Sequence, residues 1–408
     1  MKDATITDTP YFPAGVASGL KFLRPMRKLL DRLRPEAAHC NRELFFDHYI
    51  SMLLLYFFSP TMTSLRDIQR VSDCKSVARK LGVRRASLGS LSEASHVFDP
   101  KPLKAIFHEL AQQAFAHNAV ARPKGVPDDL ACIAADGSLL DALPKMFWAN
   151  WIGVHDKAVK LHMQFDIFRG IPCDVSLTDG NGDEKRALEK SIKPKHLYIV
   201  DRGYVDHSLY QSILTKGSSF LARLRGNYSS EIIETREVSA DARKAGVQSD
   251  QLVWIGGEKS GTRMKTPMRL IHVQIINPPP SGLKPPGKKV NGKCKSIRTS
   301  ETEFDMYLLT DRLDIPAESL ALLYRYRWHI EIFFRWFKCT LGCRHLLAHS
   351  ENGIQLQIYA ALIASLLVVL WTGRKPTKVT LFYLTLYFQG WASLDELEAQ
   401  LKKLKAVK

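Results

Sequence analysis

Residues 196–203 of the 408-residue chain read HLYIVDRG, a short apolar strand pattern that stops at Asp201 and a nearby glycine. Residues 130–137 read LACIAADG and repeat this arrangement at Asp136. Short apolar runs bounded by such residues are typical of buried strands. A carboxylate at a strand end is held rigidly, and an adjacent glycine lets a ligand approach closely. A single Asp-Gly after a strand is usually a turn, whereas two in one region favour a functional site.

The segments around these two runs alternate between strand and helix patterns. Strand patterns cover residues 159–168, 171–177, 219–224, 251–255, 268–276 and 303–310, and helix patterns cover residues 183–191, 206–216, 317–341 and 355–371. This alternation predicts an α/β layer around a mostly covered sheet. The alternation is interrupted over about residues 226–302, where the strand patterns at 251–255 and 268–276 flank a loop at 277–298 that is rich in proline and basic residues. This stretch predicts a β-rich insertion with a flexible basic loop.

The N-terminal segment, residues 20–117, has apolar residues at three- and four-residue spacing and is predicted to be helical. Its basic residues form two clusters, Lys21, Arg24, Arg27, Lys28, Arg32 and Arg34, and Arg66, Arg70, Lys75, Arg79, Lys80, Arg84 and Arg85. With helix breaks at Gly82 and Gly89, this region could form a helix-turn-helix-like DNA module. A solvated basic face on an ordinary helical bundle explains the same residues about equally well.

The charge balance favours a polyanionic partner. The chain has 58 Lys+Arg against 41 Asp+Glu, a net charge of +17, which suits nucleic acid or an acidic membrane surface. Its 45% apolar and 24% charged residues exclude a disordered or collagen-like chain. The apolar runs at residues 49–58 and 358–371 are shorter than the ~20 residues of a membrane span, so buried core helices are predicted.

The expected compartment is the cytoplasm, with no membrane partner. The first residues lack the apolar stretch of a signal peptide. The seven cysteines are scattered and odd in number, which fits reduced thiols better than a disulfide framework.

Residues 324–338 read YRYRWHIEIFFRWFK and carry the most specific pattern. On one helix, a stripe of side chains at three- and four-residue spacing would share a face: Tyr324, Arg327, Glu331, Arg335 and Lys338. An ion-pair ladder on a solvated helix would explain part of this stripe. The many aromatic residues on the other faces predict a largely buried helix, however, and one glutamate cannot neutralise a buried cationic stripe.

The spacing Tyr-x2-Arg-x3-Glu-x6-Lys in this stripe resembles the signature of bacterial insertion-sequence DDE transposases, specifically the insertion-sequence family four group. IAADGS, residues 133–138, and YIVDRGY, residues 198–204, are similar to the contexts of that family's two aspartates. The resemblance covers about residues 132–371. It implies an α/β, RNase H-like catalytic core that is interrupted by a β-rich insertion and preceded by a helical DNA-binding region.

The resemblance implies that Asp136, Asp201 and Glu331 are the catalytic residues and the metal ligands. Three carboxylates can hold two Mg²⁺ ions, for which Mn²⁺ is expected to substitute. Two such ions stabilise the attacking and the leaving oxygen of an in-line phosphoryl displacement. The predicted function is therefore a DNA transposase that catalyses excision and strand transfer of an insertion sequence.

The resemblance also implies that Tyr324, Arg327 and Lys338 bind DNA phosphate. Arg335 and Arg202 are further phosphate-binding candidates from geometry alone. The implied partners are double-stranded DNA, at the element ends and the target, and a second copy in a synaptic homodimer. A hairpin intermediate at the excised ends is also implied.

The predicted domains follow from these boundaries. They are a helical DNA-end-binding region (1–122), two parts of the RNase H-like core (123–226 and 303–375), the β-rich insertion (227–302) and a C-terminal tail (376–408). Two alternatives stay open. One is a metal-dependent nuclease with the same core that cleaves without strand transfer, and the other is a non-catalytic, transposase-derived DNA-binding regulator. The presence of all three carboxylates argues against catalytic decay.

Overall fold

The chain forms two compact units in the computed structural model. The described residues are 29–36, 42–59, 61–75, 77–78, 83–116, 120–142, 145–151, 157–224, 228–257, 263–277, 302–343, 345–388 and 391–403. The first unit comprises the described parts of residues 1–121, 135–187 and 328–408, and the second those of 122–134 and 188–327. The basic residues at 21–28, 79 and 80, the glycine at 82 and the predicted loop from residue 278 lie outside the described residues.

Four α-helices whose full bounds the structure describes precede the sheet in the first unit. They are α1 (Phe46–Phe58), α2 (Leu65–Asp73), α3 (Leu88–Val97) and α4 (Lys101–Gln113). Ser64 and Ser87 cap α2 and α3 by accepting a hydrogen bond from the backbone N–H three residues later. α1 is buried along most of its length, and Phe46 stacks on Phe98 with ring centroids 4.5 Å apart. The prediction that Gly89 breaks a helix was wrong, because the Ser87 cap places that glycine inside the first turn of α3.

Strands β1 (Ala131–Asp141), β2 (Ala158–Asp166) and β3 (Ile171–Asp179) follow, and α5 (Glu184–Lys190) comes next. In the first unit the strand order is β3-β2-β1, with β2 and β3 antiparallel. β1 extends well past its apolar run, so Asp136 lies inside the strand and not at its end as predicted. Residues 136–139 of β1 are only half-buried, so polar side chains are tolerated there and the apolar pattern stops before the strand does.

In the second unit, the first residues of β1 pair in parallel with β4 (His196–Val200), which pairs in parallel with β5 (Ser219–Arg223). The helix α6 (His207–Thr215) connects β4 to β5. Four antiparallel strands complete the order β1-β4-β5-β9-β8-β7-β6. They are β6 (Ser230–Arg236), β7 (Val247–Ile255), β8 (Met268–Asn277) and β9 (Thr302–Thr310), with α7 (Ala240–Lys244) between β6 and β7.

An antiparallel β2–β3 hairpin together with parallel β1, β4 and β5 is the arrangement of an RNase H-like core, and β6 to β8 form a β-rich insertion. The predicted fold class is confirmed. β6 and α7 were not predicted from the sequence. β6 is exposed along nearly its whole length, so no alternation of apolar and polar residues marks it.

The predicted single helix over residues 317–341 was wrong in detail. α8 (Ala317–Tyr326) ends the second unit, and α9 (Trp328–Arg335) resumes in the first. At the break, the Arg327 N–H donates to the Tyr324 carbonyl, three residues back instead of four. A π-turn, Trp336–Thr340, follows α9, and there the Leu341 N–H donates to the Trp336 carbonyl five residues back. The predicted stripe is therefore divided between two helices and a wider turn.

Three helices end the described chain: α10 (Glu351–Thr372), α11 (Lys378–Phe388) and α12 (Leu394–Lys403). Among the described helices, α10 is the one long and apolar enough to cross a membrane, yet 89% of its most apolar window is buried. The predicted core helix is confirmed. The argument from length was wrong, however, because the Ser350 cap and a left-handed Gly373 bound a helix of 22 residues.

Candidate active site

The Lys338 ammonium reaches the face of β1 that presents Asp136, within the first unit. The Asp136 carboxylate accepts a hydrogen bond from the Gly137 N–H at 2.8 Å. Ser138 points to the same face of the strand as Asp136, because side chains alternate. The Lys338 ammonium donates to the Ser138 hydroxyl at 2.9 Å and to the Leu139 carbonyl at 3.4 Å. The π-turn thus brings the predicted lysine to the strand that carries the first predicted aspartate.

The opposite face of β1 is closed behind Asp136 by an ion pair. The Glu184 carboxylate approaches Gly137 so closely that an added Cβ would lie 2.5 Å from Oε1. The Lys160 ammonium lies 3.4 Å from that oxygen and donates to the Gly182 carbonyl at 3.0 Å. The sequence had suggested that this glycine admits a ligand. In the structure it admits the Glu184 carboxylate.

Glu331 lies in the first turn of α9 and is half-buried. Its helix is anchored by aromatic packing, since Phe333 contacts Phe165 of β2 with ring centroids 5.5 Å apart. Phe333 also packs on Trp336 and Phe337 in the π-turn. The helix that carries Glu331 is therefore fixed from one side. The prediction of a largely buried helix was wrong for α9, because Trp328 and Ile332 are 52% and 46% exposed. Arg335, proposed from geometry as a phosphate contact, is exposed.

Asp201 lies in the second unit, directly after β4. It caps a short 3-10 turn, Arg202–Tyr204, and its carboxylate accepts a hydrogen bond from the Gly203 N–H at 2.8 Å. Arg202 is exposed beside it. Asp201 and Asp136 thus have the same kind of local contact: each carboxylate accepts a hydrogen bond from the N–H of a nearby glycine, which fixes its orientation.

Tyr324 and Arg327 form a cationic cluster in the second unit together with a residue that was not predicted, Arg223. Burial raises the pKa of Tyr324, which is 8% exposed, and the positive charges of Arg327 and Arg223 oppose that rise in pKa. Asp201 is close enough to raise the pKa of the same phenol electrostatically. The arrangement supplies a protonated phenol and two guanidinium groups near one carboxylate, which suits a phosphate oxygen. Arg223 ends β5, the parallel neighbour of β4, so its position at a strand end was the available signal.

The three predicted metal ligands have suitable chemistry. Carboxylate oxygens are the preferred ligands of hard divalent cations, and hydrogen bonds from backbone N–H groups orient both aspartates. The structure places Asp136 and Glu331 in the first unit and Asp201 in the second. Within the part of the chain that the structure describes, three or more His, Cys, Asp or Glu side chains are nowhere grouped as metal ligands.

Several basic residues of the N-terminal clusters form ion pairs. Arg70 pairs with Asp67 at 3.2 Å and Arg85 with Asp73 at 2.6 Å, and both arginines are strongly exposed. Such exposed pairs contribute only about 0–1 kcal/mol, so phosphate could readily replace the acidic partner. Arg34 differs, because its partner Asp47 is 4% exposed and belongs to the helical core. Other members of the second cluster are exposed as well: Arg66, Lys75 and Arg84.

Sequence relatives of the chain are transposases by name. It is 26% identical over 219 residues to a protein of Sinorhizobium fredii named as the transposase y4zB, a match covering 53% of this chain and 54% of that protein. It is 24% identical over 255 residues to a Geobacillus stearothermophilus protein named as a transposase for insertion sequence element IS5377, covering 61% of this chain and 59% of the relative. The chain therefore spans little more than half the length of these two relatives.

Two further comparisons cover more of the chain. A Synechocystis protein named as a transposase for insertion sequence element IS4SA is 20% identical over 329 residues, which are 79% of this chain and 83% of that protein. A solved structure titled as a piggyBac transposase synaptic complex with hairpin DNA aligns over 92% of this chain and 82% of its own, with a TM-score of 0.43 and 10% identity.

A family model described as a transposase DDE domain matches residues 131–367. This match covers more than half of the chain and includes most of both predicted parts of the RNase H-like core. It also contains every residue of the predicted active site. The chain belongs to the transposase DDE domain family.

Proposed function

We propose that this protein is the DNA transposase of an insertion sequence and catalyses excision and strand transfer by two-metal phosphoryl transfer. The observation that carries the proposal is the placement of Lys338 on the face of β1 that presents Asp136, within the matched residues. A cation beside a carboxylate on a rigid strand suits a phosphate that is held for displacement. The family four resemblance of the signature points to the same chemistry.

Asp136, Asp201 and Glu331 are proposed as the catalytic residues and as the ligands of two Mg²⁺ ions, with Mn²⁺ able to substitute. Bound divalent ions would polarise the scissile phosphate and activate the attacking oxygen. Each aspartate accepts a hydrogen bond from a nearby backbone N–H, which orients its carboxylate toward a bound cation.

Tyr324, Arg327 and Lys338 are proposed to bind the DNA phosphates beside the scissile bond, and Arg223 joins them. Guanidinium groups present several N–H donors in a planar fork that matches phosphate. The buried phenol of Tyr324 keeps its proton because burial raises its pKa, so it acts as a hydrogen-bond donor. These cations orient the phosphate and stabilise the negative charge that develops on its oxygens.

The proposed partners are double-stranded DNA, at the element ends and the target, and a second copy of the chain in a synaptic homodimer. Residues 1–122 are proposed to bind the element ends, with 123–226 and 303–375 as the catalytic core, 227–302 as the insertion and 376–408 as a tail. The exposed Arg66, Lys75 and Arg84 provide phosphate contacts in the N-terminal region. The proposed compartment is the cytoplasm.

The test uses the full chain, Mg²⁺ and duplex DNA ending in the inverted repeats that flank the gene, with a supercoiled plasmid as the target. The proposal expects cleavage at the repeat and joining of the freed 3′ end to the plasmid. Cleavage without joined products would instead indicate a nuclease. Specific binding without cleavage would indicate a regulator, and either result overturns the proposal.

A further inference from the structure

Lys338 is held in place by neutral oxygen atoms. Its ammonium donates to the Ser138 hydroxyl and to the Leu139 carbonyl, both on β1. A lysine side chain has a flexible four-carbon stem, and fixing it costs rotamer entropy. Two hydrogen bonds to one strand restrict the ammonium to the Asp136 face. Because neither oxygen carries a net charge, the positive charge of Lys338 is not neutralised by these contacts.

The backbone of Lys338 is also unusual. It lies in the π-turn, where the Leu341 N–H reaches the Trp336 carbonyl, so the helix is wider at this point than in α9. Phe337, the preceding residue, is completely buried and contacts Phe333. The turn is therefore fixed by Phe337 while the adjacent lysine extends to β1. Among the residues that the structure describes, the side-chain group that accepts from the ammonium is the Ser138 hydroxyl, which makes Ser138 the adjustable part of this arrangement.

We propose that Ser138 is a positioning residue for Lys338 in the cleavage step. The proposal rests on the function proposed above, in which Lys338 binds a phosphate. The hydroxyl oxygen accepts a hydrogen bond from the ammonium and sets the distance of that cation from the Asp136 carboxylate along the same strand face. Without it, the flexible lysine samples other rotamers, and the phosphate is held less often in the orientation that reacts.

The proposal makes the effects of Ser138 and Lys338 interdependent. Ser138→Ala should lower the single-turnover cleavage rate at saturating DNA by about 10- to 100-fold, since small misplacements at a reacting centre reach that size. The DNA concentration at half-maximal rate should change little. Ser138→Thr, which keeps the hydroxyl, should restore most of the rate. In a Lys338→Ala background, Ser138→Ala should have no further effect, because the group it positions is gone.

Ser191→Ala is the matched control. Ser191 is also half-buried and donates to a backbone carbonyl, that of Leu188, at 3.0 Å. The Ser191→Ala variant should cleave DNA at the wild-type rate. If the wild type cleaves and Ser138→Ala cleaves at the same rate, the positioning role is overturned. It is also overturned if Ser138→Ala lowers the rate of the Lys338→Ala variant by the same factor as that of the wild type.

A second measurement does not depend on cleavage. The rate at which an amine-reactive ester modifies Lys338 is followed by peptide mass spectrometry, with Lys216 as the internal reference, since Lys216 bonds the Glu189 carbonyl. Ser138→Ala should raise the modification rate of Lys338 severalfold and leave that of Lys216 unchanged. An unchanged Lys338 rate would overturn the contact itself. If Lys338 of the wild type is modified slowly but the wild type does not cleave DNA, the contact stands and the proposed function is contradicted.

Discussion

The Arg327 guanidinium lies over the ring of Tyr324, with Cζ 5.8 Å from the ring centroid, and it also hydrogen-bonds the phenol. The two residues are separated by a single helical turn and meet where α8 ends. The Arg327 N–H donates at 3.2 Å to the carbonyl of Tyr324, three residues back instead of four, and this ends the helix at the signature arginine. The helix break and the proposed phosphate contact are thus parts of one local arrangement.

Tyr324→Phe removes the phenol donor and keeps the ring beneath Arg327. The expected result is a fall in the cleavage rate of about 100-fold, the size seen when a single transition-state donor is removed. Stability should fall by only about 1 kcal/mol, the value of one hydrogen bond. Single-turnover cleavage and thermal unfolding measure the two effects. Tyr359→Phe is the control, because Tyr359 is also buried but contacts the Val175 carbonyl, away from the signature. Equal cleavage by both variants would refute the role of Tyr324.

Gly137→Ala tests the closed face behind Asp136. The new methyl group would meet the Glu184 carboxylate at 2.5 Å and displace it from Lys160. The Glu184 carboxylate is the end of a flexible side chain and can move aside, so the free energy of unfolding should fall by only about 0–1 kcal/mol, the value of its ion pair with Lys160. Gly89→Ala is the control, because its nearest neighbour would be Ser87 Oγ at 3.7 Å, and alanine there should stabilise α3 by up to about 1 kcal/mol. Urea unfolding of both variants is the measurement, and equal shifts would contradict the close approach of Glu184.

Two arginines of the second unit allow a comparison of buried and exposed ion pairs. Arg269 and Asp250 are 4% and 5% exposed in their side chains and pair at 2.7 Å. Arg269→Met should cost about 3–5 kcal/mol, because it leaves a buried carboxylate uncompensated. Arg263 pairs with the exposed Glu231 at 3.0 Å, and Arg263→Met should cost about 0–1 kcal/mol. Denaturant unfolding measures the free energy of unfolding of both variants. A similar loss of stability in the two would contradict the predicted effect of burial.

His162 predicts a pH dependence of stability in the first unit. Burial, with a contribution from Lys160, lowers the pKa of His162 from 6.5 to about 4. The folded state therefore binds this proton less readily than the unfolded state, so stability is complete above pH 6.5 and is lost as the pH falls toward 4. The loss attributable to this group is up to about 3 kcal/mol, since one pKa unit corresponds to about 1.4 kcal/mol.

The variant His162→Gln should flatten the unfolding free energy between pH 6.5 and 4, measured by urea unfolding at each pH. His196→Gln is the control, since His196 is less buried and its Nδ1 lies 2.6 Å from the Pro194 carbonyl. An unchanged pH slope in His162→Gln would show that His162 is not the group that titrates.

Most of the strands could be predicted from the sequence because burial leaves a pattern. β4 was predicted at its observed bounds, since all but its first residue are buried. β6 has no such pattern because solvent reaches almost every residue. The end of β1 could not be predicted, because pairing continues through residues that are only half-buried.

The candidate site was predictable as residue types and not as geometry. Spacing on an ideal helix placed Arg327 and Lys338 on one face. In the structure, the helix breaks at Arg327, where the N–H bonds the carbonyl three residues back, and Lys338 lies in a π-turn. Both deviations depend on packing that the spacing does not encode. Ser138 and Arg223 were missed for a related reason. Their roles come from a partner distant in the sequence, Lys338 for one and Tyr324 for the other.

Asp136, Asp201 and Glu331 are proposed to carry out Mg²⁺-dependent DNA strand cleavage and joining. The most direct measurement is single-turnover cleavage and plasmid joining of inverted-repeat DNA by the wild type and by Asp136→Asn, Asp201→Asn and Glu331→Gln, with end binding measured in parallel. Each variant should bind the ends with near wild-type affinity and form neither cleaved nor joined product, because affinity comes from the basic residues. Near wild-type cleavage by any one of these variants would contradict the assignment of that carboxylate.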